Sequence, residues 1–230
     1  SPVWPTEPRA NALLMFMRKL LVLALLWVVL ATTDTLADTS HEPVVADILL
    51  AGGTIVDGTG GEPYQGDVAI RDGKIVAVGS FETAEIERSI DCTGLLVCPG
   101  FIDLHNHRDH TLCSPETKLA VCYLTQGCTT LVTGNCGGGP VDVAEYYQKL
   151  ADQGVGVNIA HLLPHGSLRA EVLGQGRRAP DEKELAKMQQ LAERAMQAGA
   201  WGMSTGLQYV PGSFADTDEL VAIAETIGRH

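Results

Sequence analysis

The chain is poor in positive charge. Its 16 Lys and Arg face 28 Asp and Glu, giving a net charge of −12, and no basic run interrupts that balance. Nucleic acid and anionic membrane surfaces bind through clustered cations, so neither is an expected partner and a small molecule fits better. Aromatic residues are scarce at 5% and charged residues amount to 19%, while 45% of the 230 residues are hydrophobic. That is not the composition of a disordered chain, and it suffices for the core of one globular domain with an appendage. A membrane-spanning run is also lacking. The apolar stretch from Leu20 to Ala31 covers about a dozen residues, where roughly 20 are needed to cross a bilayer.

That stretch has another reading. In "MRKLLVLALLWVVLATTDTLA" a basic start at Arg18 and Lys19 precedes the apolar run, and small residues close it at Ala37, the order of a secretory signal. Cleavage near Ala37 would leave an exported protein, periplasmic or secreted, without a stable membrane anchor. No cysteine lies near the exit, which argues against a lipoprotein. A buried apolar helix is the alternative, but it does not account for the basic start and the polar exit together. The segment before it, "SPVWPTEPRANALL", lacks an initial methionine, so the expected start is Met15 or Met17. Residues 1–37 are accordingly set apart from the fold.

Residues 38–96 read as a small β module. Ala46 to Leu50 and Asp67 to Arg71 have strand character, "RDGK" supplies an Asp-Gly hairpin turn, and Ile75 to Val78 returns as a strand. The pattern then changes at "GLLVCPGFIDLH", whose continuous apolar run predicts one strand buried on both faces.

From Val97 to His230 a strand-helix unit repeats. Ser114 and Pro115 suit the N-cap and first position of a helix that Gly127 would close, with "CTTLVTGN" following as a strand. A second helix over Val141 to Gln153 stops at Gly154 before "VGVNIA". A third begins at Asp181 with Glu184 completing a capping box, lines up Leu185, Met188, Ala192 and Ala195, and ends at Gly199 before "WGMSTG". A fourth starts near Thr217 and runs to the last residue. Such alternation predicts an α/β fold with a parallel sheet, either doubly wound or a β/α barrel. Four units are half of the eight that a closed barrel needs, so in the barrel reading the chain stops halfway round.

The chemistry-bearing residues cluster at strand ends. In "GFIDLHNHRDH" His105 and His107 are two apart, and on a strand both would point to one face while Asn106 points away. Two imidazoles so held suit zinc; in isolation a solvated or core pair is the commoner explanation of His-x-His, and the position after a buried parallel strand shifts the balance towards a site. "LVTGNCGGGP" places Cys136 just past the next strand, followed by glycines that let the backbone curl around whatever the thiolate holds. The alternative for Cys136 is a disulfide, since an exported chain with 6 cysteines has partners available. Cys92, Cys98, Cys113, Cys122 and Cys128 carry no assignment.

Taken together, "VCPGFIDLHNHRDH" and "GCTTLVTGNCGGGP" resemble the amidohydrolase superfamily, in its D-aminoacylase or N-acyl-D-amino-acid deacylase branch. "ADILLAGGTIVDGTG", "IRDGKIVAVG", "HGSLR" and "GMSTGLQYVPG" extend the resemblance from about Ala46 to the end. Most other amidohydrolases that begin with His-x-His have a carboxylated lysine, or another residue type, where this branch has cysteine. The resemblance implies a zinc enzyme that hydrolyses the amide of N-acyl-D-amino acids to a carboxylate and a D-amino acid. It implies a (β/α)8 barrel whose first half is residues 97–230, preceded over residues 38–96 by part of a β-sandwich. One or two zinc ions are implied, with His105 and His107 at one metal position and Cys136 on the tighter ion or bridging both. Two further histidines and a general-base aspartate would lie beyond His230, so this stretch alone is expected to be inactive. A cyclic amidase of the hydantoinase or dihydroorotase kind, or a non-catalytic metal-binding domain on the same fold, are the rival readings.

Smaller expectations attach to four more residues. His165 in "PHGSLR" and Tyr209 in "GLQYVPG" follow the third and fourth strands as candidates to line a substrate pocket. Asp109 and His110 either orient the first histidines or belong to a solvated loop.

Overall fold

A computed structural model describes residues 42–230. The expected signal segment lies outside the described residues, and no helix among them is long and apolar enough to cross a membrane. Two compact units divide between Cys98 and Pro99.

The first unit is one mixed sheet. Its strands are β1 (Val44–Ile55), β2 (Tyr64–Arg71), β3 (Lys74–Gly79), β4 (Thr83–Asp91) and β5 (Leu96–Val97). They run β3-β2-β1-β4, with β5 also on β1. The hairpin at "RDGK" forms as its residues dictate: Arg71 faces Lys74, and Asp72 and Gly73 both take positive φ, at 51° and 71°. Positive φ at both central residues gives a turn whose twist matches that of paired strands. Strand β4 escapes the sequence reading because it is mostly polar and exposed, and its pairing with β1 is parallel and non-local.

The apolar run "GLLVCPGFIDLH" is not one buried strand. It breaks at Pro99-Gly100 into β5 of the first unit and β6 (Phe101–Asp103) of the second. Phe101 and Ile102 are 58% and 59% exposed, because β6 is the outer strand among the described residues and pairs only with β7.

In the second unit β6, β7 (Cys128–Thr133) and β8 (Asn158–His161) form a parallel sheet in chain order. Strand β9 (Leu163–Pro164) nearly continues β8, and it pairs in parallel with β10 (Met203–Ser204). The order never reverses over these strands, whereas a doubly wound sheet needs a reversal to make its binding crevice. Parallel strands also share one C-terminal edge, which gathers the loops after Asp103, Thr133, Pro164 and Ser204.

Helices α1 (Val121–Leu124), α2 (Val143–Gln153), α3 (His165–Leu173), α4 (Glu182–Gln197) and α5 (Thr217–Ile227) connect the strands. Sequence and structure agree best at α4, where the Asp181 and Glu184 capping box forms and Met188, Ala192 and Ala195 are buried. They pack with Leu163, Leu168 and Ile223 in one core, while Leu112, Leu131, Tyr146, Leu150 and Val157 form a second. Three corrections concern helices. The expected helix from Ser114 to Gly127 is only the four-residue α1, because Ala120 turns left-handed at φ 47° and interrupts the ladder. Helix α3 was not expected, since its buried Arg169 breaks the apolar periodicity. The last helix stops at Ile227, short of the chain end.

Candidate metal centre

His105 and His107 do not sit on a strand. Strand β6 ends at Asp103, whose carboxylate accepts the His105 amide at 3.1 Å and turns the chain. Asn106 is buried and is the anchor of the following loop, donating from Nδ2 to the Val132 carbonyl at 2.9 Å and accepting the Arg108 amide at 3.2 Å. With the intervening residue pinned to β7, the histidines on either side are left exposed together, their ring centroids 5.4 Å apart. The convergence expected from strand alternation therefore arises from an anchored loop.

Cys136 comes from the turn after β7. It adopts φ 54° and ψ 28°, a left-handed conformation that is costly for a residue with a Cβ. The turn needs glycine at Gly134, where a Cβ would collide with the Leu162 carbonyl oxygen. The result brings Cys136 Sγ to 3.2 Å from His105 Nε2. One ligand atom from each of His105, His107 and Cys136 lies within 4.8 Å of the other two. All six cysteines are free thiols, so the disulfide alternative for Cys136 has no partner here.

This donor set fits zinc. Tetrahedral coordination at about 2.0–2.3 Å places neighbouring N and S donors roughly 3.3–3.6 Å apart, close to the spacing of His105 and Cys136. Two imidazoles and a thiolate are also the donor types that zinc prefers over oxygen-seeking cations.

Buried polar groups hold the two loops together. Asp109 is buried and accepts the Gly134 amide at 2.5 Å, joining the histidine loop to the cysteine turn. Its carboxylate also lies 3.7 Å from Nδ1 of His161. His161, at the end of β8, was not singled out from the sequence. Its Nε2 lies 2.9 Å from the Pro140 carbonyl, which accepts only, so this nitrogen carries the proton. Nδ1 is left to accept from the Thr133 hydroxyl at 2.8 Å. Burial pushes the imidazole below its usual titration range, opposed by the Pro140 carbonyl and the charge of Asp109. Burial also raises the Tyr146 phenol.

The loops frame a cavity of about 480 Å³ whose lining includes His107, Asp109, His110, Cys136, Ser167 and Tyr209. Tyr209 lies on the wall of this cavity. His165 does not. As the first residue of α3 it is fully buried, with Nε2 at 2.9 Å from Glu219 Oε1, and Arg169 engages the other carboxylate oxygen. It belongs to the packing between α3 and α5 and does not line this cavity, which corrects the expectation. Burial pushes the Glu219 carboxyl up, but the hydrogen bonds from His165 and Arg169 outweigh it and hold the group below its usual range.

Residues 88–227 match the model of the family described as Amidohydrolase family. An N-acyl-D-aspartate deacylase of Alcaligenes xylosoxydans xylosoxydans is 39% identical over 209 residues, covering 80% of this chain and 41% of that protein. A D-aminoacylase of the same organism is 35% identical over 207 residues, covering 80% of this chain and 42% of its own length. Among solved structures, N-acyl-D-glutamate deacylase from Bordetella bronchiseptica, complexed with zinc and a phosphonate inhibitor, superposes with a TM-score of 0.74 at 32% identity. It covers 81% of this chain and 44% of that one. The chain spans about two fifths of the length of the curated relatives it matches.

Proposed function

The chain belongs to the amidohydrolase family, and from that premise we propose that the protein containing it is a zinc-dependent N-acyl-D-amino-acid deacylase. The carrying observation is the meeting of His105, His107 and Cys136, contributed by two different strand-end loops, at the edge of one cavity. Its relatives act, by their names, on N-acyl-D-aspartate and related D-amino acids, and one of them binds zinc together with a phosphonate mimic of the tetrahedral intermediate. In this reading the parallel strands β6 to β10 are part of a (β/α)8 barrel, and the mixed sheet of residues 44–97 is part of a β-sandwich. Export through residues 1–37 belongs to the same proposal.

His105, His107 and Cys136 would hold the metal, one or two ions in all. When bound, zinc would supply Lewis-acid polarisation of the amide carbonyl and bring the pKa of coordinated water towards about 7. The contribution of the chain itself is placement. Asn106 and Asp109 fix the histidine loop, the strained turn presents the thiol, and Tyr209 borders the space where the acyl or amino-acid portion would lie.

The test is metal analysis and turnover of N-acyl-D-amino acids in the full protein. Cys136→Ser keeps the size but replaces a soft thiolate by a hydroxyl, and should remove most activity with or without reductant. His105→Ala and His107→Ala should each lower zinc content or affinity. Unchanged zinc content and turnover in all three variants would sink the assignment.

A further inference from the structure

The motif "GMSTGLQY" contributes Tyr209 to the cavity, but its serine and second glycine point to a different role. Ser204 ends β10, and its hydroxyl does two things at once. It donates to the Gly134 carbonyl and accepts the Gly137 amide at 2.9 Å. Gly134 and Gly137 are both buried and flank Cys136, so one hydroxyl closes the turn from which the thiol projects. Two residues on, the Cys136 carbonyl approaches Gly206 so closely that a Cβ there would collide with it, although the φ of Gly206 is not in the left-handed region. Ser204 and Gly206 thus form a template from another strand, against which the cysteine turn is moulded. The turn needs such support because left-handed Cys136 does not persist unless its surroundings over-determine it.

We infer that Ser204 is a positioning residue for the Cys136 thiolate, with Gly206 providing the space the turn occupies. This rests on Cys136 being a metal ligand, but the placement of the thiol is a property of the chain itself. Ser167, which accepts the Gly139 amide at 3.1 Å, holds the same segment further from the thiol and serves as the comparison.

The experiment uses the full protein with Ser204→Ala, Ser204→Thr, Gly206→Ala, Ser167→Ala and Cys136→Ser. The first readout is the rate at which iodoacetamide alkylates Cys136 in metal-free protein, followed by mass spectrometry of the peptide that carries it. The second is zinc affinity by competition with a chromophoric chelator, and the third is the sulfur-to-metal charge-transfer band of the cobalt(II) form. Ser204→Ala and Gly206→Ala should change the alkylation rate severalfold, weaken zinc by about 10–100-fold and shift the band. Ser167→Ala should do less, and Ser204→Thr, which retains the hydroxyl, should behave as wild type. A folded Ser204→Ala with wild-type alkylation, affinity and band overturns the proposal. So does a folded Ser204→Thr that departs from wild type in all three, a comparison that stands even if the alanine variant does not fold. If Cys136→Ser leaves zinc binding unchanged, the metal reading fails, while the alkylation rates still decide whether Ser204 positions the thiol.

Discussion

His161 and His165 lie four residues apart and both are fully buried, yet they belong to regions that satisfy buried polarity in opposite ways. Around His161 the hydrogen-bond partners of the ring are neutral, the Thr133 hydroxyl and the Pro140 carbonyl, while the Asp109 carboxylate stands 3.7 Å from Nδ1 and accepts the Gly134 amide. Around His165 they are charges, Glu219 being shared between the imidazole and the Arg169 guanidinium. The first arrangement borders the cavity and holds the loops that carry His105, His107 and Cys136. The second lies among the helices and ties α3 to α5. Hydrogen bonds to backbone fix the path of a loop residue by residue, as a metal site requires, whereas a buried ion network locks whole helices and places no reactive atom.

The comparison breaks most sharply at Glu219. Glu219→Ala strands a buried guanidinium and should cost about 3–5 kcal/mol of unfolding free energy, measured by denaturant titration of the full protein. Zinc affinity of whatever remains folded should fall less than in Asp109→Ala, because Glu219 bonds to His165 and Arg169 of α3, which meets the cysteine turn through Gly166 and Ser167 rather than through these charges. A parallel collapse of metal binding would show that the two regions are one.

Asp109→Ala should do the reverse. Leaving the Gly134 amide without an acceptor should cost about 1–3 kcal/mol, less than the helix triad. Zinc affinity should nevertheless fall by about 10–100-fold, because the two ligand loops lose the carboxylate that joins them. Chelator competition alongside a thermal melt separates the two effects, and intact affinity with lowered stability would reassign Asp109 to packing alone.

The smallest effect is in pH. Burial holds His161 below the ordinary 6.5, so the unfolded chain binds more protons than the folded one as pH falls through 6.5. The stability associated with neutral His161 is therefore complete above that pH. It declines below it, by at most about 1.4 kcal/mol per pH unit. Glu219 acts in the same direction at lower pH, since its folded carboxyl lies below 4.5 and its contribution is lost only as pH falls through that depressed value. Denaturant titrations from pH 7 to 5 should show a slope that His161→Asn flattens. An unchanged slope would mean that His161 takes up its proton without penalty.

What the sequence determined by itself was local. The "RDGK" hairpin needs only Asp72 and Gly73, and α4 announces itself through Asp181, Glu184 and the spacing of Met188, Ala192 and Ala195, because turns, caps and helix periodicity act over a few residues. His105, His107, Cys136 and Tyr209 were nameable for the same reason, each standing in a short motif with its own chemistry. Tertiary structure alone decided how these residues meet. Asn106 reaches Val132, Asp109 reaches Gly134 and Ser204 reaches Gly137 across separations of 26, 25 and 67 residues, and no local pattern encodes such pairings. Nor did any pattern foretell that His165 would turn away from the cavity, since that outcome depends on Glu219, 54 residues further along the chain. The left-handed backbone of Cys136 belongs here too, for it is imposed from β10 and has no signature in "GNCGGG" itself. Parallel strands bring distant loops to one edge, so the motifs of the candidate site were written locally and their geometry was settled only by contacts between strands.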